Sequence, residues 1–159
     1  MYFKNAIAFP FRGEISLDEL EEKLFFCCFH DCGASESESY GWTPAHDERF
    51  VYPVGLVWMI ALKVQRKILP VAVVRQHAEK LASVIEKQQG YKPARKQMKE
   101  IKERALQELL PKALAKDSTT YAYIDPNAKL LVVDGLKKAE SAGKYLSSKI
   151  KGVFKHSKM

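Results

Sequence analysis

A chain of 159 residues in which 47% are hydrophobic and 28% charged has the size and mix of one ordinary folded domain, which excludes a disordered chain and one held together only by disulfides or metals. The longest apolar run, "VGLVWMIAL" from Val54 to Leu62, is strand-sized, well short of the roughly 18 residues that a membrane-spanning helix requires. The formal net charge of +7 is polarised: residues 1–62 hold 4 basic and 10 acidic side chains (−6), residues 63–116 hold 14 and 5 (+9), and residues 117–159 hold 8 and 4 (+4), a distribution that attracts polyanions or an acidic protein surface.

Residues 2–11, "YFKNAIAFPF", alternate roughly and are rich in aromatics, which predicts a strand. No basic flank and small-residue cleavage site mark this start as a secretory signal, so a cytoplasmic protein is expected. In "SLDELEEKLFFCCF", Ser16 and Glu19 form a capping box, and Leu17, Leu20, Leu24 and Cys27 or Cys28 make the apolar stripe of an amphipathic helix. Cys27, Cys28 and Cys32 are no disulfide framework, and they suit a reducing compartment. With His30 they resemble a metal cluster, but the spacing is not C-x2-C and no second cluster completes a site. Buried structural cysteines and no metal are therefore expected.

The stretch "DCGASESESYGWTPAHDE" reads as a loop, with Trp42 of "GWTP" plugged into the core. "RFVYPVGLVWMIALKVQRKIL" predicts a β-hairpin turning around Pro53 to Gly55. After Pro70 the period changes to that of a helix with Val74, Ala78, Leu81 and Ile85 on one face, ended by Gly90. A second helix is expected with Pro93 in its first turn, Met98, Ile101, Ala105 and Leu109 inside, and a kink or stop at Pro111. "TTYAYIDPNAKLLVVDG" predicts two short strands joined at Asp125, Pro126 and Asn127, followed by a helix over 136–151 and a basic tail.

The order β-α-β-β-α-α-β-β-α predicts an α+β fold: an antiparallel sheet packed by helices, with a protruding basic helical hairpin. Residues 1–66 and 117–152 would form the sheet core, 67–116 the inserted hairpin, and 153–159 the tail.

On the second hairpin helix Arg95, Lys99 and Lys102 stand at i, i+4 and i+7, flanked by Lys92 and Lys96; on the first, Lys80 and Lys87 share a face near Arg75. Such stripes are the footprint of phosphate-backbone binding. Lysine prevails over arginine and no base-reading motif is present, so the expected binding is nonspecific and salt-sensitive. The alternative is a protein-interaction module whose hairpin takes an acidic partner. His30, His46, His77 and His156 are scattered, with no nucleophile motif, Walker loop or dinucleotide fingerprint. Asp125 and Asp134 are the weak exception, as a two-carboxylate nuclease pair; turn formation is the favoured reading. No catalysis and no cofactor are expected. The tail, with Tyr145, Ile150, Val153 and Phe154 among lysines, lacks the long apolar face of a membrane-surface helix, and no membrane partner is expected.

Ten short segments in order resemble the RdgC family of bacterial recombination-associated proteins: "YFKN" at 2–5, "EISL" at 14–17, "CG" at 32–33, "GWTP" at 41–44, "KILP" at 67–70, "IEKQQGYKPARKQMKEIKE" at 85–103, "LLPKA" at 109–113, "YID" at 123–125, "VVD" at 132–134 and "KAE" at 138–140. The resemblance implies a non-enzymatic protein that binds duplex DNA with little sequence preference, forms a ring-shaped dimer with a basic hole, and restrains RecA-driven strand exchange at the nucleoid. Family members are about twice as long as this chain, so it matches their first half. Leu114 stands where the family usually carries an aromatic, which weakens any contact expected there.

Overall fold

The computed structural model describes residues 6–134. The expected helix over 136–151, the basic tail and residues 2–5 of the first strand lie outside the described residues.

Ser16 accepts the backbone N–H of Glu19 at 3.2 Å and starts helix α1 (Leu17–Phe26), the N-cap half of the expected capping box, while the Glu19 carboxylate turns to Lys23 Nζ at 2.6 Å. The strands are β1 (Ala6–Pro10), β2 (Glu38–Thr43), β3 (Tyr52–Val54), β4 (Val57–Ile68), β5 (Leu114–Asp125) and β6 (Leu130–Asp134). They form a six-stranded sheet in the order β1-β6-β5-β4-β2, with β3 also paired to β4. The pairs β1–β6, β5–β6 and β3–β4 are antiparallel. Helices α2 (Val71–Gln89) and α3 (Arg95–Leu109) lie between β4 and β5 in sequence. The fold is α+β, as predicted.

The described chain divides into two compact units. The first takes in residues 6–30, 40–64 and 118–134, the second 31–39 and 65–117. In the first, Leu20 and Leu24 of α1 meet Trp42, Phe50, Val51, Ile60, Leu62, Ala122, Ile124, Leu131 and Val133 in one buried cluster. Trp42 is therefore a core residue. The Glu21 carboxylate, on the same helix, accepts the backbone N–H groups of Phe50 (2.9 Å) and Val51 (2.6 Å). Val51 is fully buried, so Glu21→Ala would leave two part-buried backbone donors without their carboxylate acceptor. A loss of roughly 1–3 kcal/mol is expected in urea unfolding, with Glu21→Gln losing less because it keeps one acceptor.

Several local expectations need correction. The segment expected to be all loop contains β2, in which Ser39, Gly41 and Trp42 are buried; small residues at two of its buried positions hide the period of a strand. The β3–β4 register places Val54 opposite Val57, so the turn is Gly55–Leu56 rather than Pro53–Gly55. Gly55 takes φ 62, the positive φ that a type II′ hairpin needs at its first loop position. Pro93 precedes the Ala94 cap of α3 instead of entering its first turn. Pro111 does stop the helix: a 3-10 turn over Leu110–Lys112 leads into β5, which begins earlier than the sequence suggested.

The cysteines are the largest correction. Cys27 and Cys28 are exposed and Cys32 half-buried. Helix α1 ends at Phe26, with Cys27 as its C-cap, so the next turn of the stripe is never built. The chain instead pairs with β2: Trp42 donates to the Cys27 carbonyl (2.9 Å) and Phe29 to the Trp42 carbonyl (2.7 Å). That leaves Phe25 61% and Phe26 83% exposed.

Candidate nucleic-acid interface

The second unit carries the helical hairpin. Gly90 closes α2 in the left-handed region at φ 81, its N–H donating to Glu86 at 2.8 Å, which is the stop that only glycine takes without strain. Gln97 donates to the Gln89 side-chain oxygen (3.0 Å), while Gln89 donates to the Tyr91 carbonyl (2.8 Å), tying the connection to both helices. Between the helices Ala78, Ile101 and Ala105 are buried, with Val74, Leu81, Ala82, Ile85 and Met98 packed around them. The sequence period had named nearly all of these residues.

Arg95, Lys96, Lys99 and Lys102 line one open groove, with Met98 as their apolar neighbour. All four cations are exposed. At about 100° per residue they occupy the side of α3 from one flank of its buried stripe round to its back. Arg104 and Glu108 lie on the other flank. Of the carboxylates on α3, Glu108 lies away from the cationic groove and accepts from His77 Nε2 (2.8 Å) and from Arg104 Nε (2.9 Å), whereas Glu103 falls between Lys99 and Lys96 on the exposed back of the helix and Glu100 just beyond them.

The other expected residues are placed differently. Lys92 is exposed in the connection between the helices. Lys80 and Lys87 follow Ala78 by two and nine positions, which puts them roughly opposite the buried stripe of α2. Arg75 is exposed and 3.8 Å from Glu79, an exposed pair of the kind that contributes little stability. None of these four lines the groove around Met98. Sequence reasoning missed the His77–Glu108–Arg104 trio, although Arg104 and Glu108 at i, i+4 were its visible part.

The trio gives Glu108 a pH dependence of its own. The hydrogen bond from His77, then that from Arg104, holds the Glu108 carboxyl below its ordinary value of 4.5. A folded-state pKa below the unfolded one contributes stability that is present above the unfolded value and is lost as pH falls through the lowered folded value. Thermal melts of the wild type are expected to lose stability on that acid limb, and Glu108→Gln is expected to flatten that part of the dependence.

The two carboxylates weighed as a nuclease pair are apart. Asp125 pairs in register with Leu130, and Asp134 lies at the far end of β6 opposite Ala6, so about four residues of strand, roughly 13 Å, separate them. Metal ions in a two-metal site stand only about 4 Å apart. Asp125 Oδ1 instead accepts the N–H groups of Asn127 (2.9 Å) and Ala128 (2.8 Å), the turn role given to it. Among the described residues no group of three or more His, Cys, Asp or Glu side chains is placed to hold a metal ion, and no helix is long and apolar enough to cross a membrane.

Fold and site define an α+β protein that displays clustered cations on a helical hairpin. The family model described as "Putative exonuclease, RdgC" matches residues 1–156, and the chain belongs to the RdgC family. It is 39% identical over 137 residues to a protein of Dechloromonas aromatica (strain RCB) named "Recombination-associated protein RdgC", covering 84% of this chain and 45% of that protein. A protein of the same name from Cupriavidus necator is 38% identical over 144 residues, covering 89% of this chain and 48% of its own length. The chain thus spans a little under half the length of these relatives.

Proposed function

We propose that this chain binds duplex DNA without sequence preference and modulates homologous recombination of the RecA type, acting as a homodimer at the nucleoid in the cytoplasm and not as a nuclease. The observation that carries the reading is the groove of Arg95, Lys96, Lys99 and Lys102. From the first to the last of these, α3 rises about 10 Å, over which one DNA strand presents about three phosphates. Four exposed cations on that length match a phosphate backbone in density as well as sign. The recombination-associated names of the relatives support the same reading.

A labelled random-sequence duplex titrated between about 50 and 200 mM salt tests it. Four phosphate contacts give a loss on the order of 10² in affinity over that range, and all eight candidates, with Arg75, Lys80, Lys87 and Lys92, on the order of 10⁴. Absence of binding at the low end would overturn the proposal.

One observation favours the alternative of an acidic protein partner. Val73 and Val84 are 43% and 52% exposed and share the outer face of α2 with Lys80 and Lys87, so apolar side chains interrupt a basic face. On that reading an acidic partner stays bound after nuclease treatment and is released by Val73→Ser with Val84→Ser.

A further inference from the structure

Cys27 and Cys28 are adjacent, exposed and without a disulfide, and both line one cavity of about 290 Å³ with His30 and the aromatic residues Phe26, Tyr40 and Trp42. Their backbone is held on both sides. Cys27 and Cys28 donate to the carbonyls of Leu24 and Phe25, each at 3.1 Å, while Trp42 donates to the Cys27 carbonyl at 2.9 Å and Phe29 to the Trp42 carbonyl at 2.7 Å. Gly41, at the same cavity, allows this close approach, because a β-carbon there would fall 2.5 Å from Phe29 Cα. The two cysteines are therefore carried on a fixed backbone at a cavity with aromatic lining residues.

We propose that Cys27 and Cys28 form a dithiol site for trivalent organic arsenicals, with the aromatic lining residues taking the organic group. Two sulfurs suffice for such a ligand, whereas a structural metal site wants four donors. The reaction is an exchange without redox change: RAs(OH)2 and two Cys–SH give RAs(S–Cys)2 and two waters. Two As–O bonds break, two As–S bonds form, and each thiol proton leaves in a water molecule. Once the first As–S bond has formed, the second is intramolecular, at the high effective concentration that favours a chelate over any monothiol. Roughly 150 Å³ of apolar cavity is enough to hold a benzene ring, so the volume admits an aryl group. Cys32 has a different setting: it belongs to the other unit, and its thiol donates to the Gln65 carbonyl at 3.4 Å.

The test is intact-mass spectrometry of the reduced full chain after one equivalent of phenylarsine oxide and a wash with excess monothiol. The expected result is a single adduct on the wild type and on Cys32→Ser, removed by a small dithiol, with at least a tenfold lower retained fraction on Cys27→Ser and on Cys28→Ser. Circular dichroism of the serine variants verifies that they are folded. Loss of the wild-type adduct to monothiol, or its loss in Cys32→Ser, would overturn the proposal. The mass readout does not involve DNA, so its outcome is separate from that of the DNA-binding reading.

Discussion

Replacing Arg95, Lys99 and Lys102 together by glutamate is expected to lower duplex affinity by about 10² to 10³ near 0.1 M salt and to reduce the salt-dependence slope by about 2.7, since each phosphate contact contributes about 0.9 to that slope. The three residues line one groove, so the change removes neighbouring contacts and leaves three like charges facing the same backbone. The loss should be equal on unrelated sequences, because lysine and arginine on phosphate carry no base information. Binding that is unchanged, or that falls on only one sequence, would rule out the groove as the grip. Glutamate at Lys80 and Lys87 makes the informative companion variant: those residues lie opposite the buried stripe of α2, and a further drop in slope would bring that face into the interface.

Gly41→Ala is expected to destabilise the first unit by about 2–3 kcal/mol, the upper part of what overpacking costs. The new β-carbon would lie 2.5 Å from Phe29 Cα, 2.6 Å from Phe29 N and 2.7 Å from the Cys28 carbonyl carbon. All three are backbone atoms, so no side chain can swing aside. Relief has to come from parting the strands, which breaks the two hydrogen bonds that Trp42 makes with Cys27 and Phe29 and draws Trp42 out of the core. Gly33→Ala is the control, because its β-carbon would meet only the flexible end of Glu36 at 3.4 Å. Urea midpoints of the two variants that coincide would refute the argument.

What the sequence disclosed and what it hid follow from one distinction. Helices α2 and α3 were legible because their buried faces are apolar at spacings of three and four, and the positions of Arg95, Lys99 and Lys102 on α3 followed from the same period. Strand β2 was not, because two of its buried positions, Ser39 and Gly41, are small, and smallness carries no hydrophobic period. The cysteines were misread for a related reason: periodicity extends a stripe for as long as the residues allow, but α1 ends where its backbone finds partners on Trp42. The grouping on α2 is a third case. Lys80 and Lys87 do share a face, as their spacing said, but spacing within one helix does not say whether that face adjoins the groove on the next.

Ala78 and Ala105 are buried where α2 meets α3, and alanine there lets helix axes approach at the short end of the usual 8–10 Å range. Any replacement that adds side-chain volume at either position acts as a spacer, pushing α3 outward and carrying Arg95, Lys96, Lys99 and Lys102 with it. Two uncharged methyl groups thus serve as the gauge of an electrostatic surface, and the distance at which its cations are presented is set by residues that never touch a ligand.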